Sequence, residues 1–591
     1  MSVFLLKMGG FSYIVKTMKK IILISLILSL IPGLVYILCI SPSVNWEDSG
    51  EFVTTAKHLG IAHPPGHPLY IVLSHLFTIK RSFESTAISV NIFSVFCSFW
   101  VLFFFSLFLY YLIKPKNKIL FFLILFTSIF LFAFSKTFWY YTEIAEVYTL
   151  HTLFSLIIFI SLLLFYKKEG RFILLFSFLF GLSLANNITI VYLLPAFLLF
   201  IFLERKNLEK RYIPLSIILF LLGISFYLYI PIRSRFNPVF NWGDARTFKN
   251  FLSLFFAKDF SKGFFAFEYA EKSFIPFGLN LLREISYWGI IPLAFGFYSL
   301  LKKERNLFIL FVSSMFFNIC FSFLTGRGPD FDAYFLPTIS LFFILIGFGI
   351  MNILIFLKER RVWFCIAIFC IASLLPLLLN YKENCRRGDY DAINYGNVLL
   401  NWLPQNSILL TENTNDFFIL TYLKEIEQKK KIDIFYLPLF KEEWYEESIR
   451  SAGFDWQGEL TPLSFFKSSK RVCYYSPGAG ISLPVENLIP TGPLLKIVET
   501  EEPVKAIGFT LPSPSFKKAK KRYAILYSRF GEYYFKRKEY HFSIDGFEEA
   551  KTYDPGNPAI YHNLAVLYRK VKDFEKASQN ENLAKKLGYK K

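Results

Sequence analysis

Charged residues are scarce in this sequence. Only 19% of its 591 residues are Asp, Glu, Lys or Arg, whereas 54% are hydrophobic and 20% are aromatic. Soluble domains carry about 25% charged and about 45–50% apolar residues, so this composition excludes an ordinary cytosolic enzyme and a disordered chain. It equally excludes a collagen-like fibre, because there are only 30 glycines in the whole chain.

Acidic residues are fewer than basic ones, and the formal net charge is +20. A basic protein can bind nucleic acid, but such a protein shows a basic stripe with interleaved aromatic residues. Here the Lys and Arg residues instead cluster in short loops between apolar runs. That placement is what membrane orientation requires, so we expect membrane lipids as partners and no nucleic acid.

The apolar residues are concentrated in one part of the chain. Long Phe, Leu and Ile runs fill residues 21–380, while residues 381–591 have the composition of a soluble protein. The sequence therefore predicts a polytopic α-helical membrane protein, with a transmembrane domain over 19–380 and a soluble C-terminal region. The first run, after Lys19 and Lys20, is long enough to span and is interpreted as an uncleaved anchor.

Eleven apolar runs reach or approach the roughly 20 residues that cross a bilayer core. They are 21–41, 86–113, 119–136, 145–166, 171–185, 188–203, 212–232, 286–301, 306–325, 332–357 and 361–380. With eleven spans, the basic clusters at 19–20, 114–118, 167–171, 205–211, 302–305 and 358–361 all fall on one side. The positive-inside rule makes that side the cytoplasm, so the C-terminal region is predicted to lie outside it.

The soluble region is predicted to have two parts. Residues 381–518 are typical of an α/β domain, with strands at 407–411, 432–440 and 471–476 and a helix from Asp416 that Asn415 caps. No glycine-rich phosphate loop is present there, which disfavours a nucleotide site.

Residues 524–591 contain a repeat with a period of 34 residues. The residues Tyr527, Gly531, Tyr534 and Ala550 recur as Tyr561, Ala565, Tyr568 and Ala584. This pattern is typical of tetratricopeptide repeats, in which paired helices stack and often bind peptides or proteins. The alternative is that the two repeats only cap the soluble region.

The seven cysteines give little guidance. Five of them, including Cys39, lie in or beside apolar runs and are interpreted as core residues. Cys385 and Cys473 lie in the soluble region, where they can pair if that region is outside the cytoplasm.

Polar clusters at helix ends on the outer side are the functional candidates, because charge at membrane depth is costly. The first cluster, at 45–70, follows the first span and offers Asp48 and Glu51 beside an apolar segment, 67–79, that is too short to span. Such carboxylates suit a general base that acts on an amphipathic substrate. A solvated loop with a helix cap is the alternative, and Pro64-Pro65 disfavours a helical metal site at His63 and His67.

Four further clusters lie on the same side. They contain Glu143 and Glu146; Asn186 and Asn187; Arg233, Arg235, Asp244 and Arg246; and Arg327, Asp330 and Asp332. Guanidinium groups at a membrane surface bind phosphate well, whereas salt bridges to Asp244 or Glu146 are the alternative use of these arginines. A carboxylate base beside phosphate-binding arginines favours displacement at a sugar carbon whose leaving group is a lipid phosphate.

These motifs carry a resemblance. DSGEFVTTAKHLGIAHPPGHPLY, EVYTLH, the Asn186-Asn187 turn, YIPIRSRFNPVFNWGD and DFDAYFLP occur in order within residues 20–440. Together they resemble the membrane protein O-mannosyltransferases related to transmembrane protein 260, which belong to the GT-C class of glycosyltransferases. The resemblance implies a multi-span fold, a polyprenyl-phosphate sugar donor, exported proteins as acceptors and a catalytic carboxylate in the first outer loop.

By this resemblance Asp48 is the expected base for an acceptor Ser or Thr hydroxyl, and Glu51 is a second catalytic candidate that orients acceptor or base. From charge and side alone we assign a further set to donor and acceptor binding. It comprises His63, His67, Glu146, Asn186, Arg233, Arg235, Asp244, Asp330 and Asp332. His67 stands where an aromatic residue is expected in relatives. No cofactor is expected, and the participation of a divalent metal is left open.

Two other functions remain open at this point. One is a transferase that glycosylates a lipid or a cell-surface glycan, and the other is a non-catalytic scaffold whose repeats recruit outer partners. A transporter is disfavoured, because no charge lies at mid-span. Lys590 and Lys591 are predicted to lie on the outer side, where they form no organellar retrieval signal. This favours a bacterial plasma membrane.

Overall fold

A computed structural model describes residues 2–80, 82, 85–113, 117–167, 169–258, 267–325, 330–357, 359–478, 480–503 and 508–589. The chain divides into two compact units. The membrane unit consists of residues 1–41, 55–81 and 87–387, and the soluble unit consists of residues 42–54, 82–86 and 388–591. Residues 42–54, the first part of the outer loop after the first span, are thus grouped with the soluble unit, which the predicted boundary at residue 380 did not anticipate.

Apolar helices dominate the chain up to residue 384. They are α1 (Ser2–Cys39), α2 (Ser49–His58), α3 (Pro68–Thr78), α4 (Thr86–Ile113), α5 (Lys118–Ala133), α6 (Lys136–Thr142), α7 (Tyr148–Tyr166), α8 (Phe172–Leu184), α9 (Leu194–Leu203), α10 (Tyr212–Ile224), α11 (Tyr229–Ser234), α12 (Phe248–Phe255), α13 (Phe267–Glu284), α14 (Ile290–Lys303), α15 (Arg305–Thr325), α16 (Leu336–Ile355), α17 (Glu359–Ala372) and α18 (Leu375–Asn384).

Within the described residues, seven helical segments are long and apolar enough to cross a membrane. They are Lys19–Cys39, Thr86–Ile113, Tyr148–Tyr166, Tyr212–Ser234, Arg305–Thr325, Phe331–Ile355 and Arg361–Asn384. An eighth is obtained if α5 and α6, which meet at a bend of 71°, form one span. The polytopic helical membrane protein is confirmed, but the predicted count of eleven spans is not.

Backbone breaks account for the difference in the count. Asn187 caps a short 3-10 helix, Ile188–Leu193, so the run 171–203 contains only short helices. In the predicted run 286–301, Ser286 and Tyr287 adopt left-handed conformations with φ of 56° and 59°. Helix α14 therefore starts only at Ile290 and has 14 residues, fewer than a bilayer core requires.

Glycines allow close approach of two helix pairs in the membrane unit. Gly181 of α8 faces the carbonyl of Phe220, and Gly296 of α14 faces the carbonyl of Leu345. A Cβ at either glycine would collide with backbone. Small residues at helix contacts are a common means of packing in membranes, where no hydrophobic force drives helices together.

The soluble unit contains a five-stranded sheet. Its strands are β1 (Ile408–Thr411), β2 (Asp433–Tyr436), β3 (Cys473–Ser476), β4 (Leu488–Thr491) and β5 (Leu494–Ile497). The order is β2-β1-β3-β5-β4, with β1 parallel to β2 and β3, and β5 antiparallel to β3 and β4. The three predicted strands are observed, whereas the β4–β5 hairpin was not predicted.

Helices surround this sheet and continue to the C-terminus. They are α19 (Asp391–Trp402), α20 (Thr414–Glu425), α21 (Glu443–Ser451), α22 (Pro462–Ser469), α23 (Lys517–Lys536), α24 (Tyr540–Tyr553), α25 (Pro558–Lys570) and α26 (Phe574–Lys586). The cap of α20 is Asn413 and not Asn415, because the side chain of Asn413 accepts a hydrogen bond from the backbone of Asn415.

The region with the 34-residue period forms the four helices α23–α26. The Ser543 hydroxyl of α24 donates to the Gly531 carbonyl of α23, 2.7 Å away. A side chain on Gly531 would collide with Phe547, so the small residue of the repeat pattern lies where the two helices meet. The assignment to tetratricopeptide repeats stays a prediction.

A disulfide closes the membrane unit, between Cys39 at the end of α1 and Cys385 after α18. Their Cα atoms are 4.6 Å apart, although 346 positions separate them in the sequence. Cys385 therefore does not pair with Cys473, a pairing that the sequence left open, and the interpretation of Cys39 as a plain core residue is wrong. Cys473 is a free, buried residue of strand β3.

Candidate functional site

The first outer loop, residues 42–54, presents three acids of very different exposure. Glu47 is 6% exposed and Glu51 is fully buried, whereas Asp48 is partly exposed. The backbone amide of Phe52 donates to the Asp48 carbonyl at 2.9 Å, which starts helix α2 at this point. Of these three acids, Asp48 is thus the one that is accessible to a substrate. The hydrogen bond at the start of α2 also fixes its backbone.

The loop is held against the α/β part of the soluble unit. The amide of Glu47 donates to the Asn415 side chain at 2.7 Å. Gly50 packs on the backbone of Phe418, whose carbonyl oxygen would lie 2.9 Å from a Cβ at position 50. Asn415 and Phe418 belong to the first half of α20, so the sheet domain fixes the backbone on both sides of Asp48.

Asp48 lies near the carboxyl end of strand β2. Burial raises the pKa of Tyr436 to about 12, and the negative charges of Glu412 and Asp48 add to this effect. Glu412 directly follows β1, and Gly478 lies two residues after β3; the Gly478 amide donates to the Glu412 carboxylate at 3.1 Å. Carboxyl ends of parallel strands are where open α/β sheets bind ligands.

A cavity of about 370 Å³ lies at this edge of the sheet. It is lined by Glu412, Leu437, Pro438, Pro462 and Gly478. None of these residues was a predicted site residue, because the edge is assembled from segments that lie apart in the sequence. The strands themselves were predicted, so the sheet order was the missing information.

In the membrane unit, Glu146 and Asp330 come together although they are distant in the sequence. They are 1% and 8% exposed, and a carboxylate oxygen of each lies within 4.8 Å of the other. The Tyr141 hydroxyl donates to Asp330 at 2.8 Å, and the ring of Tyr148 lies 4.8 Å from that of Tyr141. Two close carboxylates repel unless they share a proton or a cation, so this pair has the chemistry to hold a divalent cation.

His63 and Asn186 of the predicted set both lie beside His67. The rings of His63 and His67 lie 5.3 Å apart, since Gly66 and His67 both adopt positive φ and turn the chain back. His67 Nδ1 lies 2.7 Å from the Asn186 carbonyl, so Nδ1 carries the proton and Nε2 is an acceptor. Burial, followed by the charge of His63, lowers the pKa of His67 to about 3.

The arginines after the 212–234 span have different roles. Arg233 donates through Nε to the Leu59 carbonyl at 2.6 Å and through Nη2 to the His58 carbonyl at 2.8 Å. It therefore binds the C-terminal end of α2. Arg235 is exposed, and it offers its guanidinium to the surface.

Asp244 is buried, and its carboxylate accepts hydrogen bonds from Ser234, Asn241 and Arg246. Asp244 and Arg246 form a salt bridge. The sequence analysis had left open whether the arginines of this cluster bind phosphate or form such a salt bridge. Asp332 is exposed, and Arg327 lies outside the described residues.

Two buried acids of the membrane unit were not among the predicted site residues. Glu143 accepts hydrogen bonds from Trp139 Nε1 and from the Arg386 amide, and burial raises its pKa to about 8. Glu284 accepts hydrogen bonds from the Thr137 amide at 3.0 Å and from the Thr137 hydroxyl, and burial raises its pKa to about 7. Glu143 stood in a motif noted in the sequence, whereas nothing local distinguished Glu284.

Comparison with known proteins gives the following matches. Residues 48–210 match the family model described as the Protein O-mannosyl-transferase TMEM260 N-terminal domain. Protein O-mannosyl-transferase TMEM260 of Mus musculus is 26% identical over 457 residues, which cover 70% of this chain and 62% of that protein. Protein O-mannosyl-transferase tmem260 of Dictyostelium discoideum is 24% identical over 491 residues, which cover 73% of this chain and 59% of that protein.

The chain thus spans about three fifths of the length of these curated relatives. Among solved structures, the crystal structure of ArnT from Cupriavidus metallidurans bound to undecaprenyl phosphate is similar with a TM-score of 0.45 and 10% identity, covering 77% of this chain and 92% of that one. The matched range 48–210 contains the first three motifs of the sequence resemblance and six of the predicted site residues. Residues 48–210 are therefore similar to the N-terminal domain of proteins related to transmembrane protein 260.

Proposed function

We propose that this chain is a GT-C-type glycosyltransferase that moves a sugar, most simply mannose, from a polyprenyl phosphate to Ser or Thr of exported proteins. The observation that carries the proposal is the family match, which begins at Asp48 and whose curated relatives are named protein O-mannosyl-transferases. The partial exposure of Asp48 between the buried acids Glu47 and Glu51 supports its role as the base.

The chemistry is a single displacement. The Asp48 carboxylate takes the proton of the acceptor hydroxyl while that oxygen attacks the anomeric carbon of the donor. The bond between this carbon and the phosphate oxygen breaks, and the lipid phosphate leaves as an anion. Because phosphate is a stable leaving group, no acid partner is needed, and attack opposite to it inverts the anomeric configuration.

The membrane unit supplies groups that suit the donor. The exposed guanidinium of Arg235 is matched to a lipid phosphate at the membrane surface. Glu146 and Asp330, with Tyr141 and Tyr148 beside them, offer acceptors and aromatic faces for sugar hydroxyls, or ligands for a divalent cation. His67 Nε2, a neutral acceptor, adds a further site for a sugar hydroxyl.

The soluble unit supplies a surface that suits the acceptor. The cavity at the carboxyl edge of the sheet follows Tyr436, whose pKa the charge of Asp48 helps to raise, and we assign this cavity to the acceptor. Glu51 is buried in the first turn of α2, and we assign it to orienting the loop.

The Cys39–Cys385 disulfide supports an extracytoplasmic position for this end of the membrane unit. Disulfides persist in oxidising compartments, and both cysteines lie at the ends of spans that were predicted to face outward. A bacterial plasma membrane, with the C-terminal region outside, is the setting that we propose.

The test uses full-length protein in lipid nanodiscs with a polyprenyl-phosphate mannose and candidate acceptor proteins. Asp48→Asn keeps the size of the side chain but removes the base, so transfer should fall by about 10²–10⁴-fold. Asp455→Asn, at an exposed position of the soluble unit, is the matched control and should retain the wild-type rate. Wild-type transfer by Asp48→Asn would contradict the assignment of the base.

The product distinguishes the acceptor classes. Protease treatment should convert the labelled product to glycopeptides, with the sugar on Ser or Thr by mass spectrometry. Label that stays on a protease-resistant lipid or glycan would show that the acceptor is not protein.

A further inference from the structure

The loop that carries Asp48, residues 42–54, contacts α23, the first helix of the C-terminal helical region. Glu47, the residue before Asp48, forms ion pairs with two cations of helix α23. Arg522 donates through Nη2 to Glu47 Oε1, and Lys518 Nζ lies 3.4 Å from the same oxygen. Lys518 and Arg522 are one helical turn apart on α23 and therefore project from the same face of that helix.

This ion pair is a buried one. The side chain of Glu47 is 7% exposed, and those of Lys518 and Arg522 are 24% and 23% exposed. Burial acts to raise the pKa of Glu47, but the charges of Lys518 and Arg522 outweigh it and lower the pKa. Glu47 is therefore ionised, and removal of both cations would leave a buried negative charge without compensation.

The remaining cations at the start of α23 behave differently. Lys517, Lys520 and Lys521 are exposed, as expected for residues that only solubilise a helix. Five basic residues lie within positions 517–522, but only Lys518 and Arg522 contact the buried Glu47. The contact therefore depends on the position of a residue on α23 and not only on its charge. Lys521, the neighbour of Arg522, serves as a matched control for its charge.

Helix α23 is itself fixed to the α/β part of the soluble unit. The Asp391 carboxylate accepts hydrogen bonds from the amides of Ser515 and Phe516, at 3.0 and 2.9 Å, at the beginning of α23. Next to Arg522 on this helix, the ring of Tyr523 stacks on Tyr395 at 6.1 Å, and Tyr395 lies 5.2 Å from Trp46. The two residues before Asp48 thus both rest on groups connected to α23.

The loop needs such support, because Glu47 adopts a left-handed conformation with φ of 65°. For a residue other than glycine this conformation costs free energy and persists only where surrounding contacts impose it. The side-chain ion pair and the hydrogen bond from the Glu47 amide to Asn415 impose it here. The direction in which the next residue, Asp48, leaves the loop follows from this conformation.

We infer that Arg522, assisted by Lys518, is a positioning residue for catalysis: helix α23 holds Glu47 so that the Asp48 carboxylate is presented at a fixed place. The inference rests on the proposed role of Asp48 as the base. It makes the C-terminal helical region a working part of the transferase, since a misplacement of about 1 Å in a reacting group can cost about 10²-fold in rate.

The experiment measures kcat and KM for the polyprenyl-phosphate sugar with full-length variants in nanodiscs. R522E places two carboxylates together, and its kcat should fall by about tenfold or more, with KM for the donor nearly unchanged. R522K keeps one donor and the charge, so it should retain most of the activity. K521E reverses an exposed charge, as R522E reverses a partly buried one, and should match the wild type.

A charge swap tests the contact itself. In E47K/R522E the new carboxylate lies between Lys518 and the new ammonium group at position 47, so kcat should recover severalfold relative to R522E. A recovery of this kind supports positioning through the ion pair, because a general loss of stability would be deeper in the double variant. Equal or lower kcat in the swap overturns the inference.

The outcomes separate this inference from the proposed function. If D48N is inactive while R522E and K521E have the same kcat, the positioning role is wrong and the proposed base stands. If D48N is fully active, the proposed function fails whatever R522E does. Should R522E give no folded protein, R522Q replaces it, because Lys518 still neutralises Glu47 there; an unchanged kcat in R522Q overturns the inference.

Discussion

Two buried acids of the membrane unit, Glu143 and Glu284, accept hydrogen bonds from backbone amides. Glu143 accepts from the Arg386 amide and Glu284 accepts from the Thr137 amide. A carboxyl group removed from water favours its neutral form, which is why burial raises the pKa of both groups. Each of them joins two distant segments, so its protonation state is connected to the stability of the unit.

Glu284 predicts a dependence of stability on pH. Its folded-state pKa of about 7 exceeds the ordinary 4.5, so the folded state binds the proton more tightly than the unfolded state does. The contribution is therefore complete below about pH 4.5 and is lost as the pH rises through 7, by up to about 3 kcal/mol. Glu284→Gln, which keeps the acceptor oxygen, should show a smaller loss of Tm between pH 5 and pH 8 than the wild type.

The control is Glu499→Gln, because Glu499 is exposed in the soluble unit. Its Tm should change with pH as the wild-type Tm does. Identical pH profiles for Glu284→Gln and the wild type would show that Glu284 is ionised in the folded protein.

At the level of the helices, backbone breaks decide how apolar sequence is used. Helix α3 follows the left-handed Gly66 and His67, and at 11 residues it is too short to cross a bilayer. Helices α5 and α6 meet at 71°, and the buried Glu284 binds the beginning of α6. The break before α3 places the predicted site residue His67 at a helix start, whereas the break before α6 places Thr137 on Glu284, which was not predicted.

The disulfide between the ends of α1 and α18 leads to a prediction for stability. Replacing both cysteines, Cys39→Ser with Cys385→Ser, removes a bond that closes a long loop. Removal of a native disulfide typically costs about 2–5 kcal/mol, so the Tm in detergent should fall by several degrees. A reducing agent should lower the wild-type Tm and leave that of the double variant unchanged.

Cys473→Ser is the matched control for this measurement, since Cys473 is a free residue of the soluble unit. It should not alter the response to reducing agent. A denaturing gel should first show that the disulfide is fully reduced. If the wild-type Tm is then the same with and without reducing agent, the bond does not stabilise the protein.

For the complete chain, the division into units does not follow the order of the sequence. Residues 42–54 are grouped with residues 388–591, although they follow the first membrane helix directly. Within this unit, Glu47 forms ion pairs with α23 and Gly50 packs on the backbone of Phe418 in α20. Deletion of residues 520–591 therefore does not separate a scaffold, whose repeats bind partners, from a transferase. The deletion also removes Arg522, which holds the loop that carries Asp48.

The charge distribution predicts which regions face which side. The 205–211 cluster should be cytoplasmic and the C-terminal helices should be outside. In a background with Ser at the five free cysteines, Lys570→Cys should react with a membrane-impermeant maleimide in intact cells. Lys210→Cys should react only after the cells are opened; both positions are exposed. The reverse pattern would overturn the proposed orientation.

Local composition and spacing were enough to predict several features of this protein. Apolar runs predicted the membrane helices, and short apolar runs in the soluble region predicted β1, β2 and β3. Contiguous motifs predicted a resemblance that the family model also finds over residues 48–210. The sequence predicted eleven spans, whereas seven or eight helical segments of the described residues are long and apolar enough to cross a membrane. The apolar composition of a run does not reveal a left-handed residue such as Tyr287.

Contacts between distant residues became known only from the folded chain. Folding paired Cys39 with Cys385, brought Asp330 to Glu146, and set Arg522 on Glu47. Folding also brought Arg233 into hydrogen-bond contact with the end of α2 and paired Asp244 with Arg246 in a salt bridge. Each of these contacts depends on how helices and strands pack, and packing is a property of the whole chain that no local pattern of residues records.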